Sequence, residues 1–291
     1  LEENFDLASG VLDVLVNNVI GSAIQPEPQV LLLNGEPAQE VNKKLLRLYA
    51  DWIHVCDVTR QNDYYSWLRL FGRSGFRDGE VFGQRILGNV PGLEHGTVVP
   101  YSLEALECDF VPKDFNEMSR GIRQGIECNA WGKPRAYHVY KTHPGDWSGG
   151  VAGIGLPTPT AIKRVPAEVM MHFAMRKRFH QLRGISVFAN ALNRFDDIKE
   201  IDQNERVASR IASAMAAYVK KGQPEMYEAP DRDDDGNAKR REMFFEPGLL
   251  FDDLKVGEEV GTIDTKRPNN ALIPFRDAQM RAAASGTMTG Y

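Results

Sequence analysis

The longest helical pattern in the chain is residues 185–221, ISVFANALNRFDDIKEIDQNERVASRIASAMAAYVKK. It contains no proline or glycine, and it is bounded by Gly184 before it and by a Gly-Gln-Pro sequence after it. At 1.5 Å per residue, a helix of this length would span about 55 Å, which exceeds a typical globular helix. Such a helix needs packing partners along its whole length. Its apolar residues recur at helical spacing: Phe188, Leu192, Phe195, Ile198, Ile201, Val207, Ile211, Met215 and Tyr218.

Charged residues are concentrated in the middle of this pattern. The acidic ones are Asp196, Asp197, Glu200, Asp202 and Glu205, and the basic ones that follow include Arg206 and Arg210. Taken locally, they predict a solvated face with an ion pair between Asp202 and Arg206 at i,i+4. Cations near the carboxyl end also complement the helix dipole.

The chain before this pattern alternates helical and strand-like segments. Apolar periodicity predicts helices over 5–20, 37–55 and 63–74. The last two are amphipathic and are expected to pack against one face of a sheet. Periodicity also predicts strands over 80–87, 97–106, 125–128 and 136–140, within one antiparallel, loop-rich sheet over 79–173 that a Gly- and Pro-rich stretch at 144–159 interrupts. His172, in the apolar run 169–173, is expected to be a buried strand residue with a hydrogen-bonded ring. The fold class is therefore α+β.

The chain after the long pattern predicts three further segments. Residues 231–241 are a charged loop, residues 246–265 suggest a small sheet, and residues 274–284 begin a new helix. Because the chain begins at Leu1 and stops at Tyr291 after a helical pattern, we expect it to be part of a longer protein.

Composition excludes several classes of protein. With 42% hydrophobic and 26% charged residues in 291, the chain is an ordinary globular protein. A formal net charge of −5 argues against a protein that grips the phosphate backbone. Three widely spaced cysteines predict no disulfide framework and favour a reducing cytosol. No apolar run is long enough to cross a bilayer, so no membrane is expected.

No motif nominates a catalytic centre. The glycines of residues 145–155 lack the order of a phosphate-binding loop, and Cys128, His138 and His143 lack the spacing of a zinc site. We therefore expect no metal and no cofactor. Two other classes stay open: a soluble enzyme of unknown chemistry with a site near His138, His143 and Asp146, and an adaptor or scaffold-binding protein.

Several segments, in order, resemble the lambda-type family of bacteriophage portal proteins. They are VNNVIGSAI (residues 16–24), GIECNAWGKPRAYHV (125–139), RVPAEVMMH (164–172), QLRGIS (181–186), LKVGE (254–258) and RPN (267–269). The specificity lies in the ordered combination, which covers essentially the whole chain. Residues 284–291 depart from the family pattern, with Met288 where glycine is usual.

This resemblance implies the phage portal fold, with an α/β wing, long stem helices and a small α/β clip. Residues 1–184 would be the wing, 185–221 the first stem helix, 222–272 the clip and 273–291 the start of the second stem helix. The tunnel loop and crown would lie outside this chain.

The resemblance also implies a structural role rather than an enzymatic one. The chain would be one subunit of a ring, twelve-fold by family expectation, at the unique capsid vertex of the virion, assembled in the host cytoplasm. Double-stranded DNA would pass through it during packaging and ejection without sequence-specific binding. Its partners would be the major capsid protein, the scaffold, the terminase and the head-tail connector proteins.

The resemblance suggests roles for two groups of charged residues. Repeated around a ring, Asp196, Asp197, Glu200, Asp202 and Glu205 would line the channel with negative charge that disfavours phosphate adhesion, or would meet Arg206 or Arg210 of a neighbouring subunit. The sequence leaves both alternatives open. In the clip, the residues expected to dock the terminase and the connector are Asp231, Asp233, Asp234, Asp235, Lys239, Arg240 and Arg241.

Overall fold

The computed structural model describes residues 5–21, 24–145, 162–213, 217–221, 258–262 and 272–290. The chain divides into two compact units. Unit 1 comprises Leu1–Phe195 and Met280–Tyr291, and unit 2 comprises Asp196–Gln279. Helices and strands are mixed, and all the pairings between the named strands are antiparallel, as the α+β class predicts.

Helices form largely where the apolar periodicity predicts them. The helices are α1 (Asp6–Val19), α2 (Gln39–Ile53), α3 (Tyr64–Asp78), α4 (Leu192–Ser213) and α5 (Leu272–Gly286). The Asp63 carboxylate caps α3 by accepting a hydrogen bond from the Ser66 N–H at 2.8 Å. Gly79 ends α3 with φ +85°, and a β-carbon there would overlap the Ile185 backbone. Glycine is therefore required at this crossing.

The strands form three separate sheets in the described part of the chain. They are β1 (Glu80–Leu87), β2 (Tyr101–Leu106), β3 (Ile122–Arg123), β4 (Ile126–Cys128), β5 (Pro134–Tyr140), β6 (Ile162–Pro166), β7 (Met170–Ala174), β8 (Ala217–Lys221) and β9 (Glu258–Thr262). Their orders are β2-β1-β7, β3-β4-β5-β6 and β8-β9.

The prediction of one sheet over residues 79–173 is wrong, because this region of unit 1 contains two sheets. Strand β1 is paired along both edges, with Phe82 opposite Leu106 on one side and opposite His172 on the other. No edge of β1 is free for β3–β6, so these strands pair among themselves and contribute to the same core as β1. That core contains Phe82, Leu106, Val111, Ile126, Cys128, Tyr137, Val139, Val165 and Met170.

A second core lies between α2, α3 and β2. Trp52 and Trp67 are buried there with Cys56 and Leu103, and the Trp52 indole donates a hydrogen bond to the Tyr101 carbonyl at 2.9 Å. The indole N–H therefore has a partner although the ring is buried. Burial also raises the pKa of the Cys56 thiol to about 11, so it stays protonated and unreactive at neutral pH.

The predicted 37-residue helix over 185–221 is wrong at both ends. At its start, the Ser186 hydroxyl accepts a hydrogen bond from the Phe188 N–H, and a short 3₁₀ helix, Val187–Asn190, precedes α4. At its end, Ala217–Lys221 is strand β8, paired with β9. Long-range backbone pairing overrides the helical periodicity there. The small sheet predicted within residues 246–265 is formed in part by residues that the pattern assigned to the helix.

Several predicted features lie outside the described residues, including Asp146, most of the stretch 144–159 and the charged loop 231–241. None of the helices in the described ranges is both long and apolar enough to cross a membrane.

Candidate channel and subunit-contact surface

Aromatic packing anchors the start of α4 in unit 1. Phe188 and Phe195 are buried, and the Phe195 ring meets the edges of the Phe188 and Phe5 rings at centroid distances of 5.8 and 5.7 Å. Edge-to-face contacts of this kind stabilise beyond the area they bury. The first turn of α4 is therefore fixed to unit 1, and the charged residues follow directly after Phe195.

The seven residues predicted to line the channel or a subunit interface differ in their exposure to solvent. Five of them are exposed on α4, namely Asp196, Asp197, Glu200, Arg206 and Arg210. Asp202 and Glu205 are half-buried. The exposed five therefore present their charges to solvent most fully, and they are best placed to repel DNA or to meet another subunit.

The predicted ion pair between Asp202 and Arg206 is wrong. The Arg206 Nε donates instead to the Asp202 backbone carbonyl at 3.1 Å, while the Asp202 carboxylate accepts a hydrogen bond from Arg276 of α5 at 2.9 Å. Arg276 lies 74 residues further along the chain, so helical spacing could not reveal it. The Asp202–Arg276 pair joins α4 to α5 within unit 2.

Four of the exposed charges of α4 form two adjacent stripes of opposite sign. Asp196 and Glu200 are four residues apart and lie on one stripe, and Arg206 and Arg210 lie four residues apart on the other. At 3.6 residues per turn, Arg206 is rotated by about 80° from Asp196 around the helix axis. One helix therefore presents a negative flank and a positive flank side by side.

A buried ion pair lies immediately before the α4 segment. The Arg183 guanidinium donates to Glu80 Oε1 at 2.8 Å and to the carbonyls of Val111, Gln124 and Cys108 at 2.9, 2.9 and 3.2 Å. The Gly184 N–H donates to Glu80 Oε2 at 2.9 Å. Both charged residues are buried, with Glu80 0% and Arg183 5% exposed. The pair ties β1 and two loops to the chain that leads into α4.

The pKa values of this network follow from burial and hydrogen bonding. Burial alone would raise the pKa of Glu80, but hydrogen bonds from His172, Gly184 and Arg183, with the charge of Arg183, hold the pKa below its ordinary value. Burial lowers the pKa of His172, and Glu80 opposes that shift only in part. The His172 ring lies 3.3 Å from Glu80 Oε2 and 3.4 Å from the Tyr137 hydroxyl. The prediction of a buried strand histidine with a hydrogen-bonded ring is confirmed.

The roles of Glu80 and Arg183 cannot be recognised from the sequence alone. Arg183 falls within the segment QLRGIS that carries the family resemblance, but nothing in that segment identifies its acidic partner. The only signal at Glu80 is a charged residue at the start of a strand whose next residues, Val81 and Phe82, are apolar.

The structure does not assemble an enzyme site from the described candidates. His138 is buried in β5, its Nε2 lies 3.7 Å from Glu127 Oε2, and burial lowers its pKa. His143 Nε2 lies 3.7 Å from a different carboxylate, Glu107, and its Nδ1 accepts the Gly145 N–H. Within the described residues, no group of three or more His, Cys, Asp or Glu side chains could hold a metal ion.

Comparisons with known proteins identify related chains. Residues 1–291 match the family model described as phage portal protein, lambda family. The "Probable portal protein" of Halomonas phage phiHAP-1 is 24% identical over 292 residues, covering 96% of this chain and 52% of the relative. The chain therefore spans about half the length of that relative.

A solved structure shows a similar fold at low sequence identity, and a second aligns more weakly. A chain in the neck of an empty GTA particle, computed with C6 symmetry, superposes with a TM-score of 0.52 at 12% identity, covering 98% of this chain and 65% of that one. A chain in the neck of a native GTA particle, computed with C12 symmetry, superposes with a TM-score of 0.49, also at 12% identity, covering 96% and 63%.

Proposed function

The chain belongs to the lambda family of phage portal proteins, and from this premise we propose that it is one subunit of the ring through which double-stranded DNA enters and leaves the phage head. The observation that carries the proposal is the family match over all 291 residues. The family is structural, and we accordingly propose no catalytic role for this chain. No contact in the described residues favours the alternative of an enzyme at His138 and His143.

We assign the parts of the chain by combining the family with the observed elements. Residues 1–184 form the wing, residues 185–221 the first stem segment, residues 222–272 the clip and residues 273–291 the start of the second stem helix. The Asp202–Arg276 pair supports this assignment, because it holds the two proposed stem helices together within unit 2. Within this first stem segment, helix α4 covers Leu192–Ser213.

The two stripes of α4 favour subunit contact over channel lining for its exposed charges. Neighbours in a closed ring meet through two different surfaces of the same chain. A helix with a negative flank (Asp196, Glu200) and a positive flank (Arg206, Arg210) offers two such surfaces of opposite charge. We propose that the negative flank of one subunit faces the positive flank of the next. Asp197 lies furthest from the positive flank and is the residue that best suits the channel wall.

We propose partners by family membership. The wing faces the major capsid protein and the scaffold, and the clip docks the terminase and later the head-tail connector proteins through the charged loop 231–241. The ring, with twelve subunits as our expectation, belongs to the portal vertex of the virion and assembles in the host cytoplasm. DNA passes without sequence-specific binding, and no membrane or cofactor takes part.

Electron microscopy of the full-length protein tests the ring. Closed rings with a central hole wide enough for duplex DNA are expected, and a monomer or dimer under all assembly conditions would contradict the proposal. Charge reversal then tests the role of α4. Either Asp196→Lys with Glu200→Lys or Arg206→Glu with Arg210→Glu should weaken ring assembly, and the four changes together should restore it. Intact rings in the acid-reversed variant, with DNA retention in the channel, would favour channel lining instead.

A further inference from the structure

Two aromatic side chains of unit 1 are almost fully exposed. Trp131 is 89% and Phe179 is 98% exposed, each on a short turn rather than on a helix or strand. Trp131 lies on the turn between β4 and β5, and Phe179 on the segment between β7 and the 3₁₀ helix that precedes α4. Large exposed aromatic residues are typical anchors of protein interfaces.

The two turns adjoin one another. A β-carbon at Gly132 would lie 3.9 Å from the Arg123 guanidinium and 3.9 Å from His180 Nδ1. Gly132 directly follows Trp131, and His180 directly follows Phe179. The two aromatic residues therefore belong to one continuous surface.

Hydrogen bonds hold both turns in place. The Asn129 side-chain oxygen accepts the N–H groups of Trp131 and Lys133 at 3.0 and 2.9 Å. The Gln181 side-chain oxygen accepts the N–H groups of Lys177 and Arg178 at 3.0 and 3.2 Å. Turns fixed in this way present their side chains with little further ordering on binding.

The same turns present unpaired positive charge. Arg123, Lys133, Lys177 and Arg178 are exposed. They form no ion pair with any residue in the described part of the chain. The closest acidic residues along the chain from the first turn, Glu127 and Glu117, are bonded to Arg164 and Arg120. The stretch 169–195, which contains the second turn, has no Asp or Glu at all.

From this juxtaposition we infer that unit 1 has a docking surface for an acidic polypeptide segment that carries apolar side chains among its carboxylates. The surface consists of Arg123, Trp131, Lys133, Lys177, Arg178 and Phe179, and we call it the aromatic-basic surface. Its occupant is a segment of another protein, whose carboxylates meet the four cations while its apolar side chains cover the two rings.

The same features fit a nucleic acid less well. Proteins that bind duplex DNA through its backbone commonly use 6–10 phosphate contacts, about twice the number of cations here. Aromatic stacking platforms bind single strands, whose bases are unpaired. A short acidic segment needs neither more cations nor unpaired bases.

Fluorescence anisotropy with the full-length protein tests the inference. The probe is a labelled peptide in which pairs of glutamates alternate with single leucines. We expect Trp131→Ala with Phe179→Ala, and separately Lys177→Glu with Arg178→Glu, to weaken its binding by at least about tenfold, the scale of interface hot spots. Comparison peptides with Gln for Glu, or with Ser for Leu, should also bind at least about tenfold more weakly.

Matched controls change equivalent side chains elsewhere on unit 1. Leu33→Ala removes an apolar side chain that is fully exposed, and Lys43→Glu with Lys44→Glu reverses two exposed charges on α2. Neither control should alter peptide binding by more than about twofold.

Three results would overturn the inference. The first is no peptide binding, or equal binding by the variants and the controls. The second is tighter binding of a labelled single-stranded oligonucleotide that the same variants abolish, which would make the surface a nucleic-acid site. The third is loss of rings in electron microscopy for the variants alone, which would make it a contact between copies. Because wild-type rings test the proposed function separately, the two failures are distinguishable.

Discussion

Replacing Arg183 with alanine is expected to destabilise unit 1 more than almost any other single change. The guanidinium provides four hydrogen bonds, one to the fully buried Glu80 carboxylate and three to backbone carbonyls. Among the described residues, its removal leaves the buried carboxylate with His172, the Gly184 N–H and the exposed Lys113 as partners. Breaking a buried ion pair from one side costs about 3–5 kcal/mol.

Thermal unfolding followed by circular dichroism measures this loss. For a domain of this size, each kcal/mol corresponds to roughly 2–4 °C in Tm, so Arg183→Ala should lower the Tm by roughly 6–20 °C. The matched control is Arg178→Ala, which removes the same side-chain type from an exposed position and should shift the Tm by no more than about 2 °C.

A second substitution tests the electrostatic explanation. In the Arg183→Ala background, adding Glu80→Gln should raise the Tm, because the carboxylate left without its partner is then neutral. In the wild-type background, Glu80→Gln should lower it. If Arg183→Ala matches its exposed control, or if Glu80→Gln shifts the Tm in the same direction in both backgrounds, the Glu80–Arg183 ion pair does not stabilise the fold by charge compensation.

Three further predictions concern the same unit or the α4–α5 contact. Because the folded-state pKa of Glu80 is held below its ordinary value of 4.5, its contribution to stability is present above pH 4.5 and is lost as the pH falls through the folded pKa. Glu80→Gln should therefore flatten the curve of stability against pH below pH 4.5. Met288 has φ +61° and is 65% exposed, so Met288→Gly should raise the free energy of unfolding by up to about 1 kcal/mol in urea titrations, and a decrease would contradict a strained backbone. The Asp202–Arg276 pair is partly exposed at 26% and 42%, so a double-mutant cycle with Asp202→Asn and Arg276→Gln should give a coupling energy of no more than about 1 kcal/mol.

The sequence was sufficient to predict those helices and strands of unit 1 that follow from local periodicity. The periodicity of α3 places its apolar face correctly, and the alternation of residues 80–87 identifies β1. In α1 the buried residues are instead Ala8, Leu12 and Val16, whereas Val14 and Val19 are exposed. The sequence pattern places Gly184 at a helix boundary, but in the structure a β-carbon there would overlap the Gly79 carbonyl. Its role is the close approach of two backbone segments more than one hundred residues apart, which no local pattern encodes.

Met288 shows how a departure from a family pattern can be explained physically. The family resemblance predicts glycine at this position, and the Met288 backbone has the left-handed conformation that glycine adopts at no steric cost. Met288 therefore replaces the expected glycine, while the backbone keeps the turn conformation that suits glycine. The neighbouring Thr287 is fully buried and bonds back to the Ala283 carbonyl at 3.1 Å, so the end of α5 keeps its geometry despite the methionine.

The acidic cluster of α4 shows where composition alone misleads. Read as a list, five acidic residues suggest one negative surface suited to a DNA channel. Helical geometry and the distant Arg276 divide them: Asp202 and Glu205 are half-buried, and Asp196 and Glu200 lie on a stripe next to two arginines. A ring built from such helices brings opposite charges together at every subunit boundary if the stripes face their neighbours. Because that attraction is screened by salt, rings of this protein should assemble less readily as ionic strength rises, whereas a channel lined by like charges would be relieved of repulsion and assemble more readily. Mass photometry over a salt series therefore distinguishes the two arrangements by the sign of its slope.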